Sequence, residues 1–174
     1  MNIFVTSPWP AESAIALPDR HVTKMALECC QMLSIVASSK WGHGYGNLPK
    51  KDGTLYQTEK GAFRNHPCTI WANQSIHNAR WLIEHGFYLC QEYSLRYGKT
   101  HACESAILRA DEIFPDGDST LHTPFVRAMP DELKNNIRLT TTDAYKIYLN
   151  TKPWVYDNYL RLPDRRPDWI VPHN

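Results

Sequence analysis

The chain has 174 residues, 43% hydrophobic and 21% charged, and 19 Lys and Arg face 18 Asp and Glu for a formal net charge of +1. That length reads as one domain spanning residues 1–174, long enough to bury a core. No apolar run approaches the roughly 18 residues of a membrane span, aromatic residues are too plentiful for long disorder, and near-neutrality argues against binding nucleic acid mainly through bulk positive charge.

Met1 to Thr6 reads as a short extended start, and Ser7 to Pro10 (SPWP) as a breaker. A helix is predicted from Pro18 or Asp19 to about Ser39. Val22, Met25, Ala26, Cys29, Met32, Leu33 and Val36 recur at intervals of three and four along one face. Asp19 suits its N-cap or first turn. From Trp41 to Asn65 the period collapses into a long loop, with room for a small hairpin. Such a stretch inside a compact domain is usually functional or mobile.

Helical periodicity resumes after His66-Pro67 and is strongest from Asn73 or Ser75 to Tyr97. Ile76, Ala79, Ile83, Phe87, Leu89 and Cys90 form its apolar set, and Gly98 is the stop. A further helix is predicted from Ala102 to Ile113. Leu121 to Pro130 is irregular because Pro124 and Pro130 break it. Pro130-Asp131-Glu132 has the chemistry of a helix start. A last helix runs from Thr142, as cap, to about Asn150. An aromatic tail with Trp154, Tyr156, Tyr159 and Trp169 follows. The fold class is mainly α, a compact helical domain with long irregular loops.

The cysteines Cys29, Cys30, Cys68, Cys90 and Cys103 are odd in number and contain no CxxC. They read as reduced, mostly buried thiols rather than a disulfide framework or zinc site. No metal and no cofactor is expected. No P-loop, dinucleotide GxGxxG, HExxH, EF-hand or GxSxG pattern is present.

Three groups of side chains carry candidate chemistry. His21, Lys24, Glu28 and Gln31 stack into one polar stripe of the first long helix. An acid/base, a cation and a carboxylate in one line fit Glu28 as general acid/base and His21 as proton shuttle or phosphate anchor. The same stripe also suits the solvated face of any amphipathic helix. Arg96, Lys99 and His101 surround a helix end beside Tyr93 and Tyr97, the ingredients of a nucleotide or phosphate site. Cations there equally complement the helix dipole. Arg96 and His101 also resemble the loose Arg-x4-His pattern of the HEPN ribonucleases. Arg64 and His66 precede Pro67 at a helix start, where free N–H groups suit an anion. His66 alternatively caps that helix. Trp71 and Trp81 read as core.

The segment from Leu17 to Glu28 (LPDRHVTKMALE) resembles the helix of the pyrimidine-dimer DNA glycosylases of the endonuclease V type. In those enzymes a Leu-x-Asp-x-His run precedes the catalytic Glu by the same seven positions. A Trp-x-x-Tyr element near their end is similar to Trp154-Val-Tyr156-Asp-Asn-Tyr159. The runs DRHVTKM, HPCTIWA, EYSLRYGKTH and TPFVRAMPDE also resemble a group of small phage and bacterial proteins. The glycosylase resemblance implies an all-helical fold, an N-terminal α-amine that attacks a sugar C1′ to form a Schiff base, and Glu28 as the catalytic carboxylate. Those enzymes use a Thr amine after Met removal. Here Asn2 follows Met1, so the free amine is expected on Met1, and Leu27 and Gln31 stand where flanking arginines would be.

The expected activity is DNA glycosylase-like cleavage of an N-glycosidic bond in DNA or a nucleotide. The alternative is a non-catalytic nucleotide or nucleic-acid binding protein of phage origin, serving DNA modification or sequestering a signalling nucleotide. A structural or interaction role, carried by the aromatic tail, is a third reading. The partner would be held through local phosphate contacts, with no membrane. The absence of a charged-then-apolar leader suggests the cytoplasm, the host's if the chain is phage-encoded.

Overall fold

The computed structural model describes residues 1–39, 46–56 and 61–173. Seven α-helices are found among them: α1 (Pro10–Ile15), α2 (Asp19–Ser39), α3 (Pro67–Gln74), α4 (Ile76–Tyr97), α5 (Glu104–Ile113), α6 (Asp131–Lys134) and α7 (Thr141–Asn150). The described residues form no strand, only an isolated antiparallel bridge between Pro49 and Leu55. That bridge is all that stands in place of the small hairpin allowed for in the long loop, and 40–45 and 57–60 of that loop lie outside the described residues. None of the described helices is long and apolar enough to cross a membrane.

Helix α4 is the central element and packs against α1, α2, α3 and α5. Every apolar residue expected on the inner face of α2 is buried. On α4, Ala79, Ile83, Leu89 and Cys90 are buried, but Phe87 is a partly exposed edge residue beside Tyr88. Close packing of α4 depends on Gly86. A Cβ there would lie 2.6 Å from Ile107 Cδ1 and 3.3 Å from Cys29 Cβ, so the Ile107 δ-methyl would have to turn aside and Cys29 would have to give by a few tenths of an ångström. Gly98 stops α4 in the left-handed region at φ 65°, as the sequence suggests. Trp71 and Trp81 are core, edge to face with ring centroids 5.8 Å apart.

Three boundaries differ from expectation. Helix α1 begins on the proline of the supposed breaker, because Pro at N1 gives up only an N–H that has no helical partner. Helix α5 starts at Glu104, two residues after the predicted Ala102. The cap of α7 is Thr140 rather than Thr142, since its hydroxyl is the one that accepts from the Asp143 N–H.

The C-terminal tail closes over the start of α2. The backbone N–H of Asp19 donates to the Asn158 carbonyl at 2.8 Å and that of Arg20 to Asn158 Oδ1 at 2.8 Å. Tyr159 Oη donates to the Ala16 carbonyl at 2.7 Å. The two Asn158 bonds satisfy first-turn N–H groups of α2 that no intrahelical carbonyl can reach. They also bring Trp154 and Lys152 beside His21 and Glu28.

Candidate active site

A cavity of about 340 Å³ opens where the N-terminal residues meet α2 and the end of α7. Met1, Asn2, Phe4, Arg20, His21, Lys24, Met25, Glu28, Tyr148, Lys152 and Trp154 line it. The i, i+4 geometry of α2 delivers Arg20, Lys24 and Glu28 to one side. Lys152 follows Tyr148 past the end of α7, with its ammonium 4.2 Å from the Tyr148 ring centroid.

Glu28 is buried and its two oxygens have different partners. Oε2 accepts from the backbone N–H of Asn2 at 2.7 Å and lies 3.7 Å from the Met1 α-amine. Oε1 faces Lys24 Nζ at 3.6 Å, and that lysine is largely exposed. A carboxylate taken from water needs such donors to remain charged. The result is a carboxylate held against the first peptide of the chain.

The Met1 side chain is buried, and its Sδ accepts from Thr69 Oγ1 at 3.6 Å. Asn2 Oδ1 accepts from the N–H groups of Ile3 at 2.8 Å and Phe4 at 3.1 Å. This Asx-type turn carries Phe4 into the left-handed region at φ 41°, a strained position for a bulky residue. The turn aims the Phe4 ring onto His21, stacked with centroids 4.4 Å apart, and onto Tyr148 at 5.8 Å.

His21 is buried between Phe4 and Trp154, whose indole meets it edge-on at 5.2 Å. Burial, together with the positive charges of Lys152, Lys24 and Arg20, pushes its imidazole down to about 3. Its Nδ1 has no hydrogen-bond partner among the described residues. His21 is therefore neutral at neutral pH and does not serve as a charged phosphate anchor. The cations of the cavity are the exposed Arg20, whose guanidinium sits 4.5 Å from the Trp154 ring centroid, the exposed Lys24 and the half-buried Lys152.

The structure gathers His21, Lys24 and Glu28 in one cavity and leaves the other sequence candidates elsewhere. Arg96 is fully buried. It donates to Glu92 at 3.0 Å, to Asp19 at 3.2 Å and to the carbonyls of Leu17 and Ile15 at 2.8 and 2.9 Å. Four of its five N–H donors are used inside the protein and the guanidinium is out of reach of solvent, so the expected phosphate role of Arg96 gives way to a structural one. Tyr97 Oη donates to the Asp19 carbonyl at 3.3 Å. His101 is buried, with Nε2 3.0 Å from the Thr23 carbonyl and Nδ1 accepting from the Cys103 N–H at 3.1 Å. The Arg96–His101 pair thus has no ribonuclease-like site around it. Lys99 is exposed but does not line the cavity.

His66 caps α3 by accepting from the Cys68 N–H at 3.1 Å. Burial and the nearby N-terminal amine lower its pKa. Arg64 lines a different cleft, beside Asn65, Asn73 and Gln74. All five cysteines are free and buried. Burial raises the Cys29 and Cys30 thiols well above their ordinary range, which makes them poor nucleophiles. No group of three or more His, Cys, Asp or Glu among the described residues is placed to hold a metal ion.

Sequence reasoning did not single out Phe4, Arg20, Tyr148 or Lys152 as site residues. Only Trp154 carried a signal, through the tail motif. Lys152 and Trp154 are more than 120 positions from Glu28, and no local period connects them.

A family model described as pyrimidine dimer DNA glycosylase matches residues 1–105. The match covers the N-terminal segment, α1 to α4 and the first residues of α5, and it includes Glu28. It leaves out α7, Lys152 and Trp154. No curated protein and no solved structure matches the chain.

Proposed function

This chain belongs to the pyrimidine dimer DNA glycosylase family, and we propose that it acts on damaged DNA through its N-terminal amine with Glu28 as acid/base. The family implies a DNA substrate and glycosylase chemistry. One observation carries the finer reading: the Glu28 carboxylate lies 2.7 Å from the backbone nitrogen of residue 2 and 3.7 Å from the α-amine of residue 1.

In this mechanism the free amine attacks the sugar C1′. The C1′–N bond to the base breaks, and the base departs with the bonding electron pair and takes up a proton. Glu28 accepts the proton that the amine nitrogen sheds. The C1′–O4′ bond then opens, O4′ is protonated and a C1′=N Schiff base remains. The positive charge on that nitrogen faces the carboxylate, the kind of fixed electrostatic stabilisation that costs no reorganisation during reaction. Arg20, Lys24 and Lys152 grip the flanking phosphates in place of the arginines absent around Glu28. Trp154 offers an aromatic surface to an unstacked base, and the buried Phe4–His21 stack supports that wall of the cavity. Neutral His21 lines this wall.

The test is borohydride trapping on duplexes that carry a cyclobutane pyrimidine dimer or a single abasic site. A covalent adduct is expected with the wild-type chain. It should be lost on acetylating the N-terminus and reduced by roughly 10²–10⁴-fold in Glu28→Gln, the ordinary worth of acid/base catalysis. Intact-mass measurement identifies whether Met1 or Asn2 carries the amine. Micromolar nucleotide binding without adduct or base release on either duplex would overturn the enzymatic reading in favour of a binding protein.

A further inference from the structure

The amine that the proposed reaction needs sits at a chain end, and chain ends fray unless something ties them down. Asn2 is where this end is tied. Its backbone N–H donates to Glu28 at 2.7 Å, and its Oδ1 accepts from Ile3 and Phe4. Its Nδ2 donates to the Ala128 carbonyl at 2.7 Å. Asn2 is itself only 6% exposed, and its N–H, Oδ1 and Nδ2 are all used inside the protein.

Ala128 lies in the irregular segment before α6, which has no regular structure to hold it. It is held by Tyr145 of α7. The Tyr145 hydroxyl accepts from the Ala128 N–H at 3.1 Å and donates to the Val126 carbonyl at 2.9 Å. Tyr145 is fully buried, its ring edge-on to Phe4 with centroids 6.1 Å apart. A path of hydrogen bonds therefore runs from α7 through residues 126–128 to Asn2 and ends on Glu28. Its α7 end lies beyond the matched residues 1–105.

We propose that Asn2 and Tyr145 are positioning residues that fix the N-terminal amine against Glu28, with Tyr145 acting through Ala128. The inference rests on the amine being the nucleophile. It holds for an amine on Met1 or on Asn2, because both nitrogens face the same carboxylate oxygen. Proximity makes the effect large, since a displacement of about 1 Å at a reacting group can cost on the order of 10²-fold in rate.

The experiment uses two variants with distinct defects. Tyr145→Phe keeps the buried ring and removes the hydroxyl. Asn2→Asp keeps the acceptor for Ile3 and Phe4 and replaces the donor to Ala128. Intact mass checks that both variants begin at the same residue as wild type. Single-turnover borohydride trapping is measured on a duplex with one abasic site, well below each variant's melting temperature, and duplex affinity is measured by fluorescence anisotropy. Each variant should trap about 10–100-fold more slowly with Kd within twofold of wild type. The double variant should be no slower than the slower single, because the two residues act in one chain of contacts.

A second readout does not depend on activity. The α-amine is reductively dimethylated with ¹³C, and its methyl resonance should shift in both variants toward the position seen in a short peptide. Variants that trap at the wild-type rate, or slow only as far as their affinity falls, overturn the inference. A wild-type chain that forms no adduct overturns the proposed function instead, and the methyl resonance still reports whether the bracket orders the chain end.

Discussion

Arg96 separates two readings of the same residue, a phosphate ligand or a buried tie. Its guanidinium joins Glu92 and Asp19 to the carbonyls of Leu17 and Ile15, so it holds the α1–α2 junction against α4. In Arg96→Leu both carboxylates stay buried, Asp19 with only the Arg161 N–H at 3.0 Å and Glu92 with only Arg165. Breaking a buried ion pair costs about 3–5 kcal/mol. Two carbonyls stripped of their donor add about 1 kcal/mol each at the low end. The sum, about 5–7 kcal/mol, is a large part of a typical domain's stability of about 5–15 kcal/mol. For a chain of this size each kcal/mol moves the melting temperature by about 2–4 °C, so a drop of about 10–28 °C is expected, or failure to fold. Arg96→Lys keeps the charge and one or two of the four contacts and should lose roughly half as much. Melting is followed by circular dichroism, and duplex affinity of Arg96→Lys is measured well below its transition. That affinity should equal wild type. Near wild-type melting combined with lost affinity would refute the reasoning and return Arg96 to the phosphate site.

Lys152→Ala and Arg20→Ala should leave melting within about 2 °C while each lowers the slope of log K against log salt by about 1, the signature of one lost phosphate contact; an unchanged slope in anisotropy titrations argues that neither touches the backbone. Acid should destabilise the fold through His21 and His85, whose imidazoles are pushed by burial down to about 3 and about 4. Their folded pKa values are depressed, so their stability is whole above about pH 6.5 and is lost as pH falls toward those values. Between pH 6.5 and 4.5 each contributes a loss of about 2 kcal/mol, and His21→Gln should flatten the melting curve across that window; an identical curve refutes a neutral buried His21. Gly86→Ala should cost about 1–3 kcal/mol by overpacking against Ile107 and Cys29, and Ile107→Val should recover part of it in denaturant titrations.

The helices were legible where local chemistry decides them. The apolar interval of α2, the Gly98 stop and the Pro130 start each depend on residues within one or two turns, and all three hold. Helix α1 was missed because proline was read only as a breaker, although Pro10 at N1 is a favourable first residue. The site was half legible. Asp19, His21 and Glu28 share one helix and their spacing carried the family resemblance. Arg96, His101 and Tyr97 looked like ligands because charge and aromaticity in a sequence do not reveal whether a partner lies across the fold. Arg96 meets Asp19 from 77 positions away, and His101 meets Thr23 from 78. The bracket from Tyr145 to Asn2 was invisible for the same reason, since its closing bond spans 126 positions.

The net charge of +1 fits a DNA-acting family once the cations are located. Several are spent inside the protein. Arg80 pairs with Asp111 at 2.7 Å and donates to the Pro115 carbonyl, Arg127 donates to the carbonyls of Leu133 and Asn136, and Arg96 and Arg165 both bind Glu92. What remains at the cavity is Arg20, Lys24, Lys152 and the chain's own amine, facing the single carboxylate of Glu28. An enzyme that held duplex over a broad basic surface would need many exposed cations, and its affinity would fall steeply with salt. Under the proposed function, three cations around one cavity would give a shallow dependence instead, through local phosphate contacts on either side of the reacting sugar. Binding of this kind leaves discrimination to the walls of the cavity, Phe4, His21 and Trp154, and to the geometry that holds the amine 3.7 Å from Glu28.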